Sequence, residues 1–207
     1  MMRFILQLAM FVCVPLAGFA QKIDVVVPKT APKIASEFQS KKGVNGFRRK
    51  SRHQGIDIRG PNRQAIIAVA DGRVLDFEVG SCWGPTLMVD HGVGFDGKRL
   101  IVLYGHLGEA LVRKGQTVSR GQLVGRLGNN HFKFRCISKV RHLHLQIGRT
   151  PRLTNRGNFW GHVRYLKDGK RGVNPHVYWA DGPGRVTCFR EGETYPKGTI
   201  TYPVPCK

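Results

Sequence analysis

The chain has 207 residues, of which 41% are hydrophobic and 9% aromatic, enough for one domain with a buried core and too much for a disordered chain. Its 34 Lys and Arg against 13 Asp and Glu give a formal charge of +21, so its field concentrates polyanions. The basic residues are scattered and no nucleic-acid-binding motif accompanies them, so specific nucleic-acid recognition is not expected.

Residues 1–20 read as a signal peptide: Arg3, an apolar run from Phe4 to Phe19, and small residues before a cut after Ala20. The run is shorter than the roughly 20 residues a membrane span needs, so an exported chain is expected, periplasmic or secreted, and not membrane-spanning. Removing Arg3 leaves 33 basic and 13 acidic residues, a charge of +20 suited to anionic envelope polymers. Four cysteines remain, an even number that fits two disulfides in an oxidising compartment. Of the three pairings, Cys82 with Cys136 and Cys188 with Cys206 are expected, the first tying two loops and the second stapling the tail.

Residues 21–52 form a basic lead-in with a strand-like run, Ile23 to Val27, a short helix expected around Ile34 to Phe38, and an exposed loop from Lys41 to Arg52. Strand signals then crowd residues 53–149. They are Gln64 to Ala70, Arg73 to Val79 after the Asp71-Gly72 turn, Thr86 to Asp90, Arg99 to Tyr104, and a glycine-punctuated run from Val112 to Leu127. The 26 glycines and 11 prolines are spread along the chain, and no helix longer than two turns is legible. The fold class is therefore mainly β, a small barrel or sandwich. Residues 150–207, with Trp160, Tyr165, Tyr178 and Trp179, read as a turn-rich wrapping extension held by its cysteines.

The segment Arg141-His142-Leu143-His144-Leu145-Gln146-Ile147 alternates with the period of a strand. His142, His144 and Gln146 share one face, and Leu143, Leu145 and Ile147 the other. Two imidazoles two residues apart can look into one cleft, as zinc ligands or as acid/base groups. Upstream, His53 and Asp57 are four apart across Gly55, where a bend can bring both to one point. With His144 they complete a three-ligand set of the kind zinc hydrolases use. His106 ends the strand Arg99 to Leu103 beside Gly105, well placed to aim into the same cleft. His91 is read as structural, while His131, His162 and His176 have no partners at informative spacing. No H-E-x-x-H helix is present.

With these motifs the chain resembles the lysostaphin-type, LytM-like zinc metallopeptidases, which are peptidoglycan endopeptidases. The H-x-x-x-D motif corresponds to His53-Gln54-Gly55-Ile56-Asp57 and the H-x-H motif to His142-Leu143-His144. Between them, Ala68 to Val74, Met88 to Gly92, Tyr104 to Leu107 and Val118 to Gly125 also look family-like, and the resemblance covers roughly Ser36 to Gly148. It implies a compact antiparallel sheet with a groove across one face, one zinc ion on His53, Asp57 and His144, and His106 and His142 as catalytic histidines. It also implies peptide substrates from peptidoglycan, either stem cross-links or interpeptide bridges. Two segments depart from the family pattern: the basic, aromatic insertion from Gly128 to Arg141, expected to form a groove wall, and Ser81-Cys82-Trp83-Gly84-Pro85.

Zinc chemistry agrees with this reading, since bound water reaches a pKa of about 7 and His106 and His142 can handle its proton. A monomer is expected. One rival is a catalytically silent envelope-binding regulator that activates other wall hydrolases; the five filled site positions argue against it. Another is a polyanion-binding protein with incidental histidines, whose binding would fall with salt and ignore chelators.

Overall fold

A computed structural model describes residues 23–80, 82–151 and 172–207. The expected signal peptide, His162, Trp160 and Tyr165 lie outside the described residues. Among the described residues there are ten strands, with short 3-10 turns at Asn129–Phe132, Arg135–Ile137 and Pro175–Val177. The strands are β1 (Ile34–Ser36), β2 (Ile56–Arg59), β3 (Ala65–Ile67), β4 (Gly72–Gly80), β5 (Gly84–Val93), β6 (Arg99–Gly105), β7 (Glu109–Ala110), β8 (Thr117–Val118), β9 (Leu123–Arg126) and β10 (His142–Gly148).

They form two open sheets in which neighbouring strands pair antiparallel. One has seven strands in the order β1-β2-β10-β6-β5-β4-β8, and the other has three, β3-β9-β7. The mainly β, antiparallel expectation holds, and the sheets are open where a barrel was one alternative. Two local expectations fail. Ile34 to Ser36 is an edge strand, not the start of a helix: with only Ser36 fully buried, the segment has no apolar stripe to bury as a helix and pairs with β2 instead. The run Ile23 to Val27 contributes a single parallel bridge, Val26 with Arg185.

Alternation along the central strands sorts the two faces of the large sheet. Leu143, Leu145 and Ile147 of β10 and Leu100, Val102 and Tyr104 of β6 enter the main core, all fully buried. Ile101 and Leu103 point to the opposite face and pack with Met88, Leu75 and Trp83 in a smaller cluster. The histidines of β10 share that opposite face.

The C-terminal segment is part of the main core. Trp179, Ile200, Tyr202 and Val204 are buried there among the strand residues. Backbone bonds from Ile67 to Pro203 and from Thr201 to Val69 lay the segment along β3. Both expected disulfides form, Cys82–Cys136 and Cys188–Cys206. His176, read as partnerless, is buried: its Nδ1 accepts from the Trp179 indole and its Nε2 donates to Glu37. Sequence spacing could not find Glu37, which lies 139 residues away.

His91 is packed as expected. Its Nδ1–H donates to the Asp71 carbonyl, so its Nε2 accepts the Tyr104 hydroxyl, which in turn takes the Val69 N–H. Complete burial holds the imidazole pKa down at about 4, and burial raises that of Tyr104.

Two predictions follow from these contacts. Trp179→Ala should cost about 3–5 kcal/mol in denaturant unfolding, the cost of an interior aromatic rather than of a surface tail. For His91, the unfolded chain takes up a proton near pH 6.5 while the folded chain waits until about pH 4. The stability contributed by neutral His91 is therefore complete above about pH 6.5 and drains away as pH falls to about 4, by an amount on the order of 3 kcal/mol. Unfolding free energy measured across this window should decline less steeply in His91→Gln than in the parent chain.

Candidate metal centre

The two ligand motifs meet through strand register. β2 and β10 are antiparallel neighbours with His144 directly opposite Asp57, and β6 places Gly105 on the other side of His144. Opposed residues on adjacent strands bring their Cβ atoms within about 5 Å, so the pairing fixes two of the three candidate ligands. The third, His53, reaches them because the chain turns hard against β10 at Gly55. A Cβ on Gly55 would lie 2.1 Å from the Leu145 carbonyl oxygen, so only glycine fits.

The resulting triangle is tight and buried. His53 Nε2 lies 3.0 Å from His144 Nδ1 and 3.1 Å from Asp57 Oδ1, and His144 Nδ1 is 3.0 Å from the same oxygen. Ligand atoms about 2.0–2.1 Å from a tetrahedral zinc stand about 3.3 Å apart, so a small contraction separates this triangle from a zinc site.

The groups behind the imidazoles decide which nitrogens face the triangle. A carbonyl can only accept, so the ring nitrogen bonded to it carries the proton. His53 Nδ1–H donates to the Glu37 carbonyl at 3.0 Å, and His144 Nε2–H donates to Gln146 Oε1 at 3.2 Å. His142 Nδ1–H donates to the Val140 carbonyl at 2.6 Å and His106 Nδ1–H to the Trp83 carbonyl at 2.9 Å. The other nitrogen of each ring is left with a lone pair. His53, Asp57 and His144 therefore present three acceptors to one another with no proton between them. Such a donor set fits a cation, and the bonds behind it match the way metal-bound imidazoles are held.

Electrostatics reinforce this. Burial lowers the pKa of His106, His142 and His144, further for His106 through repulsion by its neighbours, so these rings are neutral. Asp57 Oδ2, turned away from the triangle, accepts from Arg49. Arg49 belongs to the loop expected to be merely exposed. The pairing joins that loop to β2 and falls outside both ligand motifs, so sequence spacing carried no signal for it.

His106 and His142 line the same cleft, their ring centroids 4.8 Å apart. His142 Nε2 is 3.7 Å from Asp57 Oδ1. His106 has a φ of 65°, a left-handed conformation uncommon for a residue with a side chain, at the point where the chain leaves β6. Trp83, not singled out by the motif reading, stacks against His106 at 4.7 Å and meets His144 edge-on at 4.9 Å. The cleft has a volume of about 740 Å³. Its lining includes residues 49–54 together with Arg135, Cys136 and Ser138, so the basic insertion does line the cleft. His131 lies in the 3-10 turn Asn129–Phe132.

Known proteins show the same pattern. The chain is 31% identical over 105 residues to an uncharacterized metalloprotease of Haemophilus influenzae, covering 50% of this chain and 20% of that protein. It is 26% identical over 126 residues to an uncharacterized metalloprotease of Buchnera aphidicola, covering 61% of this chain and 31% of that one. The chain thus spans no more than about a third of these relatives. The crystal structure of the catalytic domain of the prophage-encoded M23 protein EnpA from Enterococcus faecalis superposes with a TM-score of 0.51 at 20% identity. The match covers 75% of this chain and 97% of that one, a likeness of fold. A profile of peptidase family M23 matches residues 51–156, from just before His53 to just beyond β10. The sheet, the gathered histidines and this match over half its length agree: the chain belongs to peptidase family M23, the metallopeptidases of the LytM and lysostaphin type.

Proposed function

We propose that this chain is an exported zinc endopeptidase that hydrolyses peptide bonds of peptidoglycan, with His53, Asp57 and His144 holding one zinc ion. The observation that carries the proposal is the triangle of three unprotonated acceptors about 3 Å apart, each backed by a bond that fixes its orientation. A zinc ion held there supplies a Lewis acid and lowers the pKa of a bound water to about 7.

The chain's own groups supply the rest. Burial keeps His142 and His106 neutral, so either can accept a proton at Nε2 while its Nδ1–H remains on a backbone carbonyl. Once charged, the same nitrogen can return the proton to the leaving amine. Both rings sit at fixed positions, one at the start of β10 and one just past β6, so the proton moves without reorganisation of the backbone. Trp83 closes one side of the cleft against water.

The two disulfides suit an oxidising compartment outside the cytoplasm, and among the described residues no helix is long and apolar enough to cross a membrane. The strongly basic composition suits residence on an anionic envelope. A silent regulator is the weaker reading, because it has no use for a complete, proton-free donor set.

Two outcomes are expected. In competition with a chromogenic chelator, the mature chain should bind one equivalent of zinc. His53→Ala, Asp57→Ala and His144→Ala should each weaken binding by at least about 100-fold, while His142→Ala changes it by less than about tenfold. With purified peptidoglycan, the zinc-loaded chain should release soluble peptides whose new amino termini, read by mass spectrometry, lie within stem peptides or bridges. Release should be absent in His144→Ala and restored to chelated protein by zinc. A chain that binds zinc yet cuts no wall preparation points to the regulator.

A further inference from the structure

We infer that the cleft selects peptides bearing free carboxylates beside the scissile amide, stem cross-links rather than neutral bridges, and that Lys50 and Arg135 are the selecting residues. This rests on the peptidase reading above and specifies its substrate.

The charge lining the cleft is one-sided. Arg49, Lys50, Arg52 and Arg135 line it, whereas Asp57 is the only carboxylate among the described lining residues. Asp57 is already committed, its Oδ1 to the histidines and its Oδ2 to Arg49. Several cations elsewhere are paired within the chain. Arg99 pairs with Asp90 and Arg149 with Asp96, and Arg63, at a second cleft of about 450 Å³, lies 3.7 Å from Glu109. Lys50 and Arg135 are exposed and have no ion pair among the described residues. Arg49 also keeps a buried Nε–H without an acceptor among those residues.

Arg135 is held in place. The adjoining Cys136 is disulfide-bonded to Cys82 and donates its N–H to the Cys82 carbonyl at 2.8 Å, and Phe134 packs against Gly84. Cations gathered on a cleft with no free carboxylate discriminate by charge, because a neutral occupant desolvates those groups without returning a partner. A run of glycines offers only backbone amides. A cross-linked stem peptide has residues joined through their side chains, which leaves α-carboxylates free beside the link. Those carboxylates match the arginine fork and the lysine ammonium.

The test uses two synthetic cross-linked stem peptides of one sequence, with these carboxylates either free or converted to carboxamides. Calorimetry on chelator-treated mature chain reads binding without turnover, and the zinc-loaded chain gives kcat and KM. The acid peptide should bind about tenfold more tightly at low salt, the size of one or two charge-assisted contacts at a half-exposed site. Its preference should shrink towards one at about 0.5 M salt, where charges are screened within a few ångströms. The double substitution Lys50→Gln and Arg135→Gln, checked for an unchanged melting temperature, should erase most of the preference through KM rather than kcat. Equal affinity for the two peptides, or a preference that survives the double substitution, overturns the inference. If both peptides are cut with equal affinity, the peptidase reading stands and the selectivity falls. If the acid peptide binds more tightly and neither is cut, the selectivity stands and the peptidase reading falls.

Discussion

Asp57 faces His144 across the β2–β10 ladder, and the rest of the molecule is arranged so that this pairing cannot slip. A shift of one residue would bring a leucine opposite Asp57 and turn the histidines of β10 into the main core. Leu143, Leu145 and Ile147, all fully buried on the other face, prevent it. Exposing side chains of this kind costs about 1.5–3 kcal/mol each, and a slip would strand buried imidazoles in the core as well. The site's chemistry is thus enforced from behind the sheet, by residues that touch no ligand. The neighbouring strand contributes by omission: a Cβ on Gly105, across from His144, would meet the Trp83 ring at 3.1 Å.

Charge follows from the same geometry. Asp57 is nearly inaccessible, and burial alone would favour its neutral form; the guanidinium of Arg49, donating to Oδ2, offsets that cost. The imidazoles respond in the opposite sense, held neutral because a buried cation would lack water. The result is one negative group and several lone pairs in a chain of net charge +21. That local inversion of sign is specific to the triangle, since the walls above it are cationic. Metal recruitment and wall charge are therefore separable properties of one cleft, the first set by β2 and β10 and the second by the loops.

Much of this could be read before the fold was known, and the parts that could not share a cause. The alternation of β10, the long strands β4, β5 and β6, and the H-x-x-x-D and H-x-H spacings are local signals, legible because strand period and motif spacing are written within a few residues. Both disulfide pairings were also anticipated. The contacts that escaped join different segments through side chains, outside any motif spacing: Arg49 with Asp57, His176 with Glu37, and Trp83 against His106. Ile34 to Ser36 was misread because three residues carry too little periodicity to separate a turn of helix from an edge strand, and the neighbouring β2 decided the matter. The burial of Trp179 and Tyr202 in the main core was equally invisible, since turn-rich sequence looks the same whether it wraps a surface or fills an interior.

The two segments that depart from the family pattern prove to be one device, and its target is His106. A non-glycine residue at φ 65° costs about 1–2 kcal/mol and persists only where its surroundings determine it. What determines it is the 82–84 segment: the Trp83 carbonyl fixes the His106 Nδ1–H, and the Trp83 ring lies against the imidazole. That segment is in turn fixed by the insertion. Cys136 bonds Cys82 covalently and through the backbone, and Gly84, at φ 68°, leaves room for Phe134, whose ring would lie 2.7 Å from a Cβ there. Neither segment explains itself alone, because the Trp83 contact needs the loop held and the disulfide is what ties the insertion to that loop. Together they convert a strained histidine into a rigid one, and they place the cationic wall and the candidate proton acceptor on a single support.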